Sequence, residues 1–78
     1  GQQKTVSGKV LNGKDKTPVP GATVTIKGSK LGTSTSDKGE FTLLVNENRI
    51  LLVSAVGFTS IELKVDKKSA FTITLEES

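Results

Sequence analysis

A chain of 78 residues makes one domain with room for a single core. It has neither cysteine nor histidine, which removes disulfides, soft metal sites, thiol nucleophiles and histidine-based triads, so packing alone must hold the fold. The net charge of +3 comes from ten scattered lysines and Arg49 against eight acids, a pattern that serves solubility; a nucleic-acid surface would add arginine forks and aromatic platforms.

The first run, residues 4–11, places Val6, Gly8 and Val10 on one face, and the turn over 12–16 is expected to take its positive φ from Asn12-Gly13. Residues 17–21 (TPVPG) are too rich in proline for a central strand. Residues 22–27 then alternate, with Ala22, Val24 and Ile26 on one side and Thr23, Thr25 and Lys27 on the other. The polar run 31–36 predicts an edge strand flanked by lysines. Residues 40–45 turn Phe41, Leu43 and Val45 inward, and the nearly continuous apolar run 50–56 predicts a central strand. Two more alternating runs follow, 59–65 with Thr59, Ile61, Leu63 and Val65, and 70–75 with Phe71, Ile73 and Leu75. No segment keeps a helical period for three turns, so the prediction is an all-β, seven-stranded, transthyretin-like or Ig-like sandwich.

The expected domain covers 1–78, with a flexible start over 1–3 and the beginning of a linker at 76–78. The expected core is Val6, Val10, Val24, Ile26, Phe41, Leu43, Ile50, Leu52, Phe58, Ile61, Leu63, Phe71 and Ile73, each worth roughly 1.5 to 3 kcal/mol on burial. Most of that gain is offset by backbone ordering. No apolar run approaches the roughly 18 residues that span a bilayer, so the chain as given is expected to be soluble and not itself inserted in a membrane. The start Gly1-Gln2-Gln3, without methionine, is compatible with a processed or recloned N-terminus.

The remaining chemistry is carboxylates, lysines and hydroxyls, and the acids fall in turns and at solvent-facing positions with no pair suited to acid–base catalysis. The stretch Ser36-Asp37-Lys38-Gly39-Glu40-Phe41 holds two carboxylates, too few for a calcium loop. A turn explains it better: Asp37 bonds downstream backbone, Gly39 takes positive φ and Phe41 opens the next strand facing inward. The run GSKLGTS lacks the Gly-x-x-x-x-Gly-Lys-Ser/Thr pattern of a phosphate-binding loop, and no helix is predicted after it. The residues therefore nominate no catalytic, metal or cofactor site, and no binding residue.

Several segments in order, VSGKV, PVPGATVTIKGSKLGTSTSDKGEFTLLV, ILLVSAVGFTSIELKV and FTITLEES, resemble the carboxypeptidase-regulatory-like domain at the N-terminus of SusC-like TonB-dependent outer-membrane transporters of Bacteroidetes. The match runs from about Lys4 to Glu77, and its signature positions are Pro20, Gly21, Gly32, Asp37, Gly39, Phe41, Gly57 and Phe58. Ser36 stands where the family favours threonine, Lys38 falls in the variable turn position, and Phe58 stands where tyrosine is common, so that tyrosine's hydrogen bond is not carried over. The resemblance implies a transthyretin-like sandwich on the periplasmic face of the outer membrane, tethered through its C-terminal end to a TonB-interacting segment, a plug and a barrel. On that footing Gln2-Gln3 resembles a mature start, and Glu76-Glu77-Ser78 opens the linker.

Three functions compete. The leading expectation is a non-enzymatic accessory domain of a nutrient or glycan importer, monomeric in isolation, binding protein (the TonB complex or the plug and barrel of its own transporter) and neither nucleic acid nor cofactor. The alternative is a spacer, stalk or auxiliary sandwich module of another surface or periplasmic protein. A glycan-binding module fits least, because it needs exposed aromatic platforms and all three phenylalanines are assigned to the core.

Overall fold

A computed structural model describes residues 3–78, so the expected flexible start lies outside the described residues at positions 1 and 2. Gln3 already opens the first strand. The seven strands are β1 (Gln3–Asn12), β2 (Thr23–Ile26), β3 (Gly32–Ser34), β4 (Glu40–Asn46), β5 (Ile50–Ser54), β6 (Ile61–Lys64) and β7 (Ala70–Leu75). They form two sheets, β4-β1-β7 and β3-β2-β5-β6, which face each other as the predicted all-β sandwich. β3 is the short edge strand and β5 is interior, as the polarity of one and the apolar run of the other predict. β1 pairs antiparallel with β4 but parallel with β7.

The buried core consists of Val6, Val10, Val19, Ala22, Val24, Ile26, Phe41, Val45, Leu51, Val53, Val65, Ile73 and Leu75. In β5 the inward face differs from expectation: Leu51 and Val53 are buried, while Ile50 and Leu52 are only half-buried. Pairing explains the difference, because directly opposed residues share a face and Val24↔Val53, Ile26↔Leu51, Leu51↔Leu63 and Val53↔Ile61 are opposed. The apolar side chains of β2 fix β5, and the unbroken run ILLV left that choice open. Ile50 and Leu52 instead face outward on the same side of the sheet as Lys27 and Glu62, whose ion pair (3.0 Å) reaches across β5 between its two neighbours.

Leu43, Phe58, Ile61, Leu63 and Phe71, all expected inside, are partly buried and pack against the core from its margins. Ile61 and Leu63 are only half-covered because β6 is an edge strand. Phe41 is the fully covered phenylalanine, 4% exposed, and its ring lies over Gly8, where a Cβ would collide with it. Glycine inside β1 is therefore a packing requirement.

Candidate functional site

The loops at one end of the sandwich carry most of the signature positions. Residues 17–21 cross from β1 toward β2 and are fastened by Thr35, a buried hydroxyl. Its Oγ1 donates to the Val19 carbonyl (2.7 Å) and accepts from the Ala22 N–H (2.8 Å). Two backbone bonds flank it, Thr35 N–H to the Ala22 carbonyl and Gly21 N–H to the Thr35 carbonyl. Sequence reading missed both Thr35 and Val19, since a single polar residue in a polar run and one valine between prolines give no periodic signal.

The stretch 36–40 is the expected turn, with one change of actor. Gly39 N–H bonds the Ser36 carbonyl and Gly39 takes φ +75, the left-handed residue that follows a type I turn, here at the corner where the chain passes from β3 in one sheet to β4 in the other. The side chain that receives the downstream amides is Ser36 rather than Asp37: its Oγ accepts from Lys38 and Glu40 N–H at 3.3 Å. A Cβ on Gly39 would sit 2.7 Å from the Val10 carbonyl and close to Pro18 and Val19, so this glycine lets the turn lie flat against the proline loop.

At the preceding corner, Gly13 is absent from the residues with positive φ, and Lys16 takes that conformation instead (φ 63). Gly13 instead lies against the Glu76 carboxylate, a flexible side-chain end that would have to move aside for a Cβ. Asn12 Oδ1 accepts from Lys14 N–H and Asp15 Oδ1 from Thr17 N–H, so side-chain bonds shape this loop. The Thr17 hydroxyl and amide both donate to the Asp15 carboxylate and hold its pKa below the ordinary value.

The opposing loop is the turn 55–58, closed by Phe58 N–H to the Ala55 carbonyl, with Gly57 (φ +87) in the position where a type II turn requires positive φ. Val56 is left at its tip with its side chain wholly exposed (102%). Between this turn and residues 17–21 lies an open depression of about 360 Å³, lined by Pro18, Val19, Pro20, Ala55, Val56 and Phe58, with Asn12 and Thr17 at its polar side. No titratable side chain lines it. The last residues run beside it: Thr59 N–H bonds the Glu76 carbonyl, Ser78 N–H bonds the Gly57 carbonyl and the Asn12 amide donates to Glu77.

Pro20, Gly21 and Phe58 thus border one depression, with Gly57 in the turn beside it and Asp37 and Gly39 on the adjoining turn. Gly32 and Phe41 lie in strands away from it: Gly32 packs against the Val24 backbone and Phe41 fills the core. Among the described residues no group of three or more acidic side chains could hold a metal ion, and no helix is long and apolar enough to cross a membrane.

Charge divides between the two ends. At the far end, the turn after β2 carries Lys27 and Lys30, the turn after β4 carries Arg49 with Glu47, and the end of β6 with its turn carries Lys64, Lys67 and Lys68 with Asp66. Lys4 joins them, its Nζ donating to the Asp66 carbonyl at 3.0 Å, and Glu62 is paired to Lys27. Seven cations therefore meet three carboxylates there, and the end with the depression has a slight acidic excess.

The architecture is a small two-sheet β-sandwich with most of its signature residues in loops at one end. The CarboxypepD_reg-like domain family matches residues 6–78, and the chain belongs to that family. Relatives place such a domain in TonB-dependent receptors. The chain is 44% identical over 66 residues, 82% of its length, to the TonB-dependent receptor SusC of Bacteroides thetaiotaomicron. It is 32% identical over 76 residues, 96% of its length, to TonB-dependent receptor P3 of Formosa agariphila. The chain spans only 6% and 8% of those two proteins.

Proposed function

We propose that this chain is a non-catalytic accessory domain of a SusC-like TonB-dependent importer, held on the periplasmic face of the outer membrane, and that it works by protein contact through the end bearing the depression. The observation that carries the reading is the pairing of that depression with Val56. A fully exposed valine on a turn closed by the Phe58 N–H to Ala55 carbonyl bond, beside an uncharged hollow lined by Pro18 and Val19, contributes nothing to the fold and offers a partner an apolar contact. The family relationship supports the transporter setting, and the partner expected there is the TonB complex or the transporter's own plug.

Deletion of residues 1–78 from a transporter that carries them is the test, with outer-membrane transporter levels measured alongside uptake. Loss of import at unchanged transporter level is the expected result; full import would remove the accessory role and leave a spacer.

A further inference from the structure

The end of the sandwich remote from the depression has a different chemistry. Three turns of that end are knitted together by Arg49 Nη2 donating to the Lys27 carbonyl, Val65 N–H to the Arg49 carbonyl and Asp66 N–H to the Glu47 carbonyl. They hold Lys30, Lys67 and Lys68 at exposed turn positions, and among the described residues none of these three lysines has an ion-pair partner. Leu31, 62% exposed, projects beside Lys30 in the same group of turns. The domain is elongated, 36 × 20 × 17 Å, so this basic end stands well apart from the slightly acidic one.

We propose that this end docks onto an anionic phospholipid bilayer, with Lys30, Lys67 and Lys68 among the headgroup phosphates and Leu31 seated in the interface. Lysines are compact, mobile charges suited to a diffuse negative surface, whereas recognition of individual carboxylates or phosphates on a polymer favours the planar fork of arginine. Clustered lysines beside an anionic leaflet each add measurably to binding, and the attraction fades within a Debye length, so it needs the lysines at projecting positions, which turns provide. An exposed leucine among cations has no electrostatic use, but it gains by leaving water at a lipid interface. The inference goes beyond the accessory role and concerns the isolated domain, so the two can fail separately.

Sedimentation of the 78-residue chain with vesicles tests it. Vesicles of phosphatidylcholine with about 30 mol% phosphatidylglycerol should retain the protein at low salt and release it near about 0.5 M salt, and pure phosphatidylcholine should not retain it. The pair Lys67→Glu and Lys68→Glu should weaken retention at least about tenfold. Leu31→Ser should weaken it about threefold or more with the lysines intact. The pair Lys14→Glu and Lys38→Glu makes the same change in net charge at the other end and should leave retention within about twofold. Circular dichroism checks that each variant is folded. Absence of retention on anionic vesicles overturns the proposal, as does equal loss from the two lysine pairs. Retention by soluble polyglutamate in preference to vesicles would assign the surface to an acidic polypeptide and overturn it too.

Discussion

Thr35 shows how one hydroxyl can organise a surface. It bridges the Val19 carbonyl and the Ala22 amide in a buried setting, so Thr35→Val keeps the shape and strands both groups. A loss of about 1 to 3 kcal/mol in urea denaturation is expected. Gly39→Ala should cost a similar amount, because its φ of +75 alone carries about 1 to 2 kcal/mol for an L-residue and the Val10 carbonyl adds a collision. The turn chemistry of Gly39 was legible because glycine beside Asp and Lys between two runs has few other readings. The role of Thr35 was not, since its partners are brought to it by the fold and are 13 and 16 residues away in sequence.

Asp15 gives a pH prediction at the same scale. Its carboxylate is held below the ordinary range by the Thr17 hydroxyl first and the Thr17 amide second. A folded-state pKa below the unfolded one means that the group stabilises the fold above about pH 4 and loses that contribution as pH falls through the folded value. Unfolding of wild type and Asp15→Asn, compared at neutral pH and at about pH 3, should show a small wild-type advantage that shrinks on acidification. An advantage that grows in acid would reverse the sign.

At the scale of the strand, β5 separates pattern from pairing. Its existence and interior position could be read from a continuous apolar run, but its inward face could not, because alternation is silent where every residue is apolar. Val24 and Ile26 opposite it decide the matter. Leu51→Ala should therefore cost about 2 to 5 kcal/mol, and Leu52→Ala distinctly less. Equal costs in denaturant titrations would contradict the register. The same distinction applies to the phenylalanines: truncating buried Phe41 should cost about 3 to 5 kcal/mol, and truncating half-buried Phe71 less. The parallel pairing of β1 with β7 was beyond local reading, since it joins the two ends of the chain across 63 residues.

For the whole molecule, the seven-stranded sandwich was legible in the sequence because turn residues punctuate alternating runs at regular intervals. The two unlike ends were not. Lysines that look scattered along the chain gather on turns that the strands bring together, and the motifs around Pro20 and Gly57, 37 residues apart, meet across one hollow. Residues 76–78, expected as linker, are bonded along the side of that hollow by the backbone of 57–59, which sets the hollow beside the C-terminal segment.

The contact role is tested most directly by uptake through a TonB-dependent transporter that carries this domain with Val56→Glu, beside a Leu44→Glu control. Leu44 is also an exposed apolar residue (53%), but it lies on β4, away from the depression. The expected result is reduced import for Val56→Glu at normal transporter level and domain stability, with import unchanged for Leu44→Glu. Wild-type import by both would contradict a contact through the depression.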